Sequence, residues 1–307
     1  MDDTADKAAM EARMRRAIDL ARRAWGDTHP NPHVGAVIVA PDGSVVGEGW
    51  HARAGAPHAE VAALLEAGQR ARGATLYVTL EPCCTQGRTP PCTQAIRDAG
   101  IARVVAGATD PNPAHAGRGY CVLREAGIKV VHGILEDECE DLNLIFNQWI
   151  SKGQSLFAAK VATTLCGHIA TRTRDSKWIT GDEARADAHR WRRYFPAIAV
   201  GSGTVLADDP RLSVRQPGAA ESCPLRFVFD RTLRTARGML PGLYRDAYRA
   251  RTTVVTDENA PTDGEDILCE LGVSVLRLPE GAPFWPAFRT HCVRDGITGV
   301  LFEGGSE

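Results

Sequence analysis

No stretch of this sequence approaches the ~20 consecutive apolar residues that a membrane-spanning helix requires, and no apolar leader of the secretory kind opens it. Internal repeats and low-complexity segments are missing as well, which excludes solenoids and biased linkers. Neither sign of charge is in excess. Lys and Arg number 36, Asp and Glu 38, and the net charge of -2 gives no global pull toward nucleic acid or an anionic membrane. There is no disulfide framework either, because the nine cysteines are odd in number, scattered, and carried without a secretory signal. These absences lead us to expect a cytoplasmic protein with no nucleic-acid or membrane partner.

What is present is enough for two cores: 307 residues exceed the usual 100–200 of one domain, and 44% of them are hydrophobic. The local run Arg13, Arg15, Arg16, Arg22 and Arg23 lies opposite Met10, Met14, Ile18 and Ala21 on one helical wheel, so it reads as a solvated basic face. A helix is expected over residues 5–25, then strands Val34–Ala40 and Ser44–Trp50 joined by an Asp42-Gly43 turn. Helices over 58–71, 92–99, 117–126 and 137–150 then alternate with strands over 74–80, 101–108 and 128–135, an α/β layer pattern. The polar segment Ser151–Ser155 is the expected boundary, giving domains 1–150 and 151–307.

The chemistry gathers in the first domain. Pro57-His58-Ala59-Glu60 is followed, after an apolar strand, by Glu81-Pro82-Cys83 and then by Cys92. One imidazole and two thiols suit a tetrahedral zinc that keeps a fourth position for water, with His58, Cys83 and Cys92 as ligands. Zinc lowers the pKa of bound water to about 7, so hydroxide is available at neutral pH for attack on an amidine-like ring carbon. Glu60 is the candidate proton shuttle, because the His-x-Glu arrangement of zinc nucleobase deaminases leaves that carboxylate off the metal. Pro57 favours an extended approach, so His58 and Glu60 are expected in the first turn of a helix. Cys92 is expected to open the next helix after Pro90-Pro91, where unpaired amides favour a thiolate. The competing reading makes His58 and Glu60 helix-capping residues and the cysteines small core residues. A third is a closed structural zinc site with Cys84 as fourth ligand, which leaves Glu60 unexplained.

Beyond these residues, the first half is similar to the deaminase domain of the bifunctional riboflavin-biosynthesis deaminase/reductase family. The likeness runs through Thr28-His29-Pro30-Asn31-Pro32, Gly47–His51, Pro57–Glu60, Gly87–Cys92 and Asp110-Pro111-Asn112-Pro113. The Cys83-to-Cys92 spacing also separates it from deaminases with a Cys-x-x-Cys unit. The resemblance implies a cytidine-deaminase-like α/β/α domain acting on a diaminopyrimidinone ribosylamino 5′-phosphate, with Asn31, His51, Arg88, Asp110 and Asn112 lining the pyrimidine and ribose pocket. It also marks a departure: Cys84-Thr85-Gln86 stands where the family has Ser-His after the first cysteine, so a substrate-contacting histidine is missing.

The second half resembles the reductase domain of the same family through Lys160-Val161-Ala162, Ser176–Gly181, Ala184-Arg185, Arg192, Val200–Pro210 and Leu212–Arg215. That likeness implies a dihydrofolate-reductase-like α/β fold that uses NADPH to reduce the opened ribose to ribityl. Ala162, Trp178, Thr204 and Asp208 are implied to contact NADPH; Ser176, Arg192, Leu212, Arg215 and Glu303 are implied to contact the sugar phosphate. A homo-oligomer is expected. Cys166 stands where the family has an acid, and the sequence stops at Glu303-Gly304-Gly305-Ser306-Glu307, where a glycine-rich turn should lead into a helix, so this domain is expected to be incomplete. The alternative is an active deaminase, on this or a related aminopyrimidine nucleotide, with a degenerate or structural reductase half.

Overall fold

The computed structural model describes residues 3–86, 90–173, 175–176, 178–215, 221–281 and 283–304. Two compact units account for the chain, Met1–Gly153 and Gln154–Glu307.

The first unit runs α1 (Asp3–Ala21), β1 (Gly35–Val39), β2 (Val45–Trp50), α2 (Ala59–Ala67), β3 (Thr75–Leu80), α3 (Cys92–Asp98), β4 (Arg103–Ala108), α4 (Arg118–Glu125), β5 (Lys129–Val131), α5 (Glu136–Asp141) and α6 (Leu144–Lys152). Its sheet has the order β2-β1-β3-β4-β5, with β1 antiparallel to both neighbours and the remaining pairs parallel. The β1–β2 hairpin forms where the sequence signals it. Asp42 Oδ1 accepts from the Ser44 amide at 2.9 Å and its hydroxyl at 2.6 Å, while Gly43 takes a φ of +87° that other residues resist.

Glycine also decides how closely the helices approach this sheet. A Cβ on Gly47 or Gly49 would collide with the Ala63 or Ala59 carbonyl of α2, and one on Gly35 would collide with the Ala17 carbonyl of α1. Gly49 pairs with Ala36 and Gly47 with Ile38, one residue out of phase with Gly35, so α1 and α2 pack on opposite faces. The result is an α/β/α sandwich with Met14, Ile18, Ile38, Leu76, Val78, Ile96, Val104 and Leu123 sealed inside.

Three expected elements differ. The first helix stops at Ala21 and gives way to a 3₁₀ turn, Arg22–Ala24, before Gly26 turns the chain with a φ of +84°. The strand expected over 128–135 pairs only over Lys129–Val131. The single helix expected over 137–150 is two helices broken at Leu142-Asn143. Asn143 leaves helical geometry, with φ -123° and ψ 27°, and its side chain instead grips the backbone of His33: the His33 amide donates to Oδ1 at 2.7 Å and Nδ2 donates to the His33 carbonyl at 3.0 Å. Asparagine competes with the helix in just this way.

The second unit runs β6 (Leu156–Lys160), α7 (Asp182–Tyr194), β7 (Ala197–Gly201), α8 (Ser202–Asp208), β8 (Leu225–Phe229), β9 (Thr252–Asp257), α9 (Asp263–Glu270), β10 (Ser274–Leu278), α10 (Phe284–Arg294) and β11 (Gly299–Glu303). Its six strands are all parallel, in the order β10-β9-β8-β7-β11-β6. Alternate residues feed two cores: Ile198, Val200, Val228 and Val254 on one face, Ala199, Phe227, Val255 and Val300 on the other. The second face is aromatic, with Phe288 of α10 fully buried against Phe157, Phe227 and Phe229. Because the strands are parallel, their carboxyl ends share one edge, where open α/β sheets bind ligands.

Candidate functional site

Three elements converge in the first unit. His58 is the N-cap of α2, with an extended backbone at ψ 159°, so the helix starts one residue later than the sequence pattern suggests. Cys83 follows the carboxyl end of β3, and Cys92 is the first residue of α3, capped by Pro91. His58 Nδ1 lies 3.2 Å from Cys92 Sγ and 3.6 Å from Cys83 Sγ, and the three ligand atoms are all within 4.8 Å of one another. Zinc with bonds of ~2.0 Å to nitrogen and ~2.3 Å to sulfur has tetrahedral edges of about 3.6 and 3.8 Å, so this donor set fits the ion in size and in chemistry.

The electrostatics favour the thiolate at Cys83 and, against the expectation for a helix N-terminus, the thiol at Cys92. The Cys92 amide donates to Cys83 Sγ at 3.3 Å. The Cys92 thiol and, beyond the opposing cost of burial, His58 bring Cys83 down to about 4, while Cys92, which shares that proton, is driven up by the same bond and by burial. Glu60 is buried behind the cluster, and burial followed by the Cys83 charge pushes its carboxyl up to about 7. A carboxyl poised there can both take and give a proton at neutral pH.

Further side chains surround the cluster. His51 Nδ1 donates to the Pro57 carbonyl at 3.1 Å, which fixes the tautomer and leaves Nε2 to accept from Asn31 Nδ2 at 3.1 Å. The His51 ring meets the His58 ring edge-on at 5.5 Å. Asp110 and Asn112 lie on the loop after β4, where Asp110 Oδ1 accepts from the Asn112 amide at 2.8 Å and Asn112 Oδ1 from the Ala114 amide at 3.0 Å. Burial pushes the Asp110 carboxyl up to about 6. Arg88 lies outside the described residues.

Two residues of this site were missed by sequence reasoning. Glu81, read only as part of the Glu-Pro-Cys motif, is buried and accepts from the amides of Asp110 (3.2 Å), Gly117 (2.8 Å) and Gly119 (2.8 Å), so it hangs the 110–119 loop on the strand end that carries Cys83. His115, on that loop, is buried against Cys84. A Glu next to a ligand was a signal available in the sequence; His115 had none.

The second unit presents its candidates along one edge. Ala162 follows β6, Thr204 and Asp208 ride on α8 directly after β7, and Glu303 ends β11, all at carboxyl ends of parallel strands. Arg192 of α7 grips Glu303 in two bonds of 2.7 Å and also donates to the Ser213 carbonyl at 3.3 Å. The 211–215 segment is held from three sides. Besides Arg192, the Arg215 amide donates to His189 Nδ1 at 3.3 Å, and the fully buried Arg226 donates to the Arg211 carbonyl at 3.1 Å. Leu212 takes a left-handed φ of 56° and buries its side chain in the core, so its backbone rather than its side chain faces any ligand. Trp178 is exposed beneath the Arg185 guanidinium, 4.7 Å from the ring centre, and Ser176 is exposed nearby in sequence.

Comparisons with known proteins agree with both halves. The family model for the cytidine and deoxycytidylate deaminase zinc-binding region matches residues 7–108, and that for the RibD C-terminal domain matches 157–307. The riboflavin biosynthesis protein RibD of Aquifex aeolicus is 46% identical over 86% of this chain and 72% of its own length; that of Bacillus amyloliquefaciens is 42% identical over 95% and 78%. Among solved structures, a diaminohydroxyphosphoribosylaminopyrimidine deaminase/5-amino-6-(5-phosphoribosylamino)uracil reductase from Thermotoga maritima superposes with a TM-score of 0.82 at 38% identity, over 98% of this chain and 82% of that one. A RibD from Acinetobacter baumannii gives 0.79 at 39% identity with the same coverage.

Proposed function

The chain belongs to the RibD family of riboflavin-biosynthesis proteins, and from that membership we propose how its halves divide the work. The amino-terminal unit is a zinc-dependent deaminase of 2,5-diamino-6-ribosylamino-4(3H)-pyrimidinone 5′-phosphate, and the carboxy-terminal unit is an NADPH-dependent reductase that converts the ribosyl group of the product to ribityl. The observation that carries this reading is the meeting of His58, Cys83 and Cys92 with a buried acid, Glu60, that the ligand set does not need.

His58, Cys83 and Cys92 hold the zinc. When bound, the ion supplies Lewis acidity that makes water a nucleophile near neutral pH. Glu60 takes the first proton that water gives up and passes it to the ring nitrogen, then carries the second, from the hydroxyl added to the ring carbon, to the amine as its C–N bond breaks, a shuttle suited to a carboxyl held at about 7 by burial. Asn31 and His51, joined by their hydrogen bond, form one wall of the pyrimidine pocket, and Asp110 and Asn112 form another; Arg88 is assigned to the same substrate by family likeness. In the reductase unit, Ala162, Trp178, Thr204 and Asp208 hold NADPH, which when bound supplies hydride. Ser176, Arg192, Leu212, Arg215 and Glu303 hold the sugar phosphate, with the Arg192–Glu303 pair fixing the guanidinium that meets it.

This reading extends to a cytoplasmic homo-oligomer that has no nucleic-acid or membrane partner. Its near-zero net charge supports that, as does the finding that no helix among the described residues is long and apolar enough to cross a membrane. The test follows ammonia and NADPH separately, using purified chain and the diaminopyrimidine nucleotide. Ammonia should appear first, and NADPH should then be consumed. Protein that holds no zinc and deaminates as fast with Glu60→Gln as without it refutes the deaminase assignment; no NADPH oxidation on the deaminated product refutes the reductase assignment.

A further inference from the structure

The loop that Glu81 suspends beside the metal cluster carries three polar side chains, and the structure treats them differently. Asp110 and Asn112 each use a side-chain oxygen to shape the loop itself, by accepting the Asn112 and Ala114 amides. His115 does not cap its own loop. Its Nδ1 reaches across to the loop after β3 that carries Cys83, 3.4 Å from the Cys84 amide and 3.6 Å from Cys84 Sγ. A backbone amide can only donate, so Nδ1 accepts and the proton of the neutral ring sits on Nε2.

That Nε2–H is the unusual feature. The ring is only 8% exposed, yet Nε2 has no partner among the described residues. Nor does it belong with the sealed unpaired polar atoms, which are Ser213 Oγ, Asp230 Oδ1, Asp257 Oδ1 and Thr298 Oγ1. The one open edge of a buried ring is therefore a hydrogen-bond donor. Its position is set by Cys84, the residue next to ligand Cys83. The donor thus stands at the rim of the cluster, one residue farther out than the ligands. If the reacting ring carbon sits over the cluster, the groups at that distance are the substituents of the ring.

We propose that His115 is a specificity-determining residue of the deaminase site, donating from Nε2 to an oxygen of the phosphoribosyl arm. The proposal rests on the deaminase reading above. It also gives the site an imidazole from a different loop where Cys84-Thr85-Gln86 offers none from the ligand loop.

Two amide substitutions separate the halves of the ring. Asparagine places an oxygen near the Nδ1 position and lacks the distal donor; glutamine places an amide near Nε2 and lacks the proximal acceptor. His115→Asn should raise the KM for deamination of the 5′-phosphorylated substrate about tenfold, with kcat within about twofold of the parent, whereas His115→Gln should stay near the parent KM. Zinc content and thermal midpoint should match the parent in both. Repeating the comparison with the dephosphorylated nucleoside locates the acceptor: a penalty that disappears places it on the phosphate, and one that persists places it on the ribose. A silent His115→Asn, a His115→Gln impaired instead, or a loss confined to kcat overturns the proposal, since a residue that merely braces Cys84 would behave so. A parent chain that neither binds nor deaminates the nucleotide refutes the deaminase reading itself.

Discussion

The two units solve opposite problems with the same α/β materials. In the first, an imidazole and two sulfurs from three elements close on one point, with a buried acid on the helix that carries the imidazole. In the second, the candidate groups are strung along the carboxyl edge of a parallel sheet, and two of them, Arg192 and Glu303, form an ion pair that neutralises itself. The difference follows from the chemistry. Hydrolysis requires the protein to assemble its own acid, base and metal ligands, whereas in hydride transfer the cofactor brings the reactivity and the fold supplies position.

The sharpest way to break that contrast is to disable one half and watch the other. Cys83→Ser should empty the metal site and abolish ammonia release, and Glu60→Gln should slow it by about 10²–10⁴-fold with zinc retained. Neither should change NADPH oxidation on substrate that has already been deaminated. A parallel fall in reduction would mean that the halves are not chemically separate.

A smaller effect is expected from the ion pair of the second unit. Arg192 and Glu303 are only 16% and 10% exposed, so Arg192→Met leaves a carboxylate buried without its partner and should cost about 3–5 kcal/mol of stability in chemical denaturation. Removing both charges, in Arg192→Met with Glu303→Leu, should recover most of that loss without recovering reduction. Deamination should survive both changes.

Much of this contrast was legible in the sequence, and unevenly so. His58, Cys83 and Cys92 were found because metal ligands need particular atoms at particular spacings, and those atoms do meet. Arg192 and Glu303 were named only through family likeness, since no spacing rule joins residues 111 apart in sequence. His189 and Arg226 escaped notice because they hold backbone groups of distant loops, and hydrogen bonds to a backbone leave no residue-type signature; His115 escaped because only the fold brings its loop to Cys84. The break at Asn143 was missed for the same reason. The apolar period over 137–150 is helical, and only the tertiary bonds to His33 override it.

That break offers a test of intermediate size. Asn143→Ala removes both hydrogen bonds that its side chain makes to the buried His33 backbone and should cost about 2 kcal/mol. Because His33 lies two residues beyond Asn31, it should also raise the KM of deamination while leaving reduction unchanged. An unaltered KM would show that the Asn31–His51 wall does not depend on this clamp.

The smallest effect is one of pH. Burial alone would raise the Glu303 carboxyl, but the Arg192 bond and charge hold it below the usual carboxylate range. A depressed carboxyl contributes stability that is fully present above its unfolded pKa, about 4.3, and is lost as pH falls through the folded value. Thermal midpoints of the parent and of the doubly uncharged variant should therefore converge as pH falls from 5 toward 3 and run parallel above about 6. Convergence as pH rises would contradict the assignment.

The claim on which the rest depends is that three protein atoms, and not four, hold the metal. X-ray absorption at the zinc edge of the purified chain tests it directly. One nitrogen near 2.0 Å, two sulfurs near 2.3 Å and one light donor that exchanges with solvent are expected, with the spectrum unchanged in Glu60→Gln. A third sulfur, or a shell that changes when the Glu60 carboxylate is removed, would contradict it.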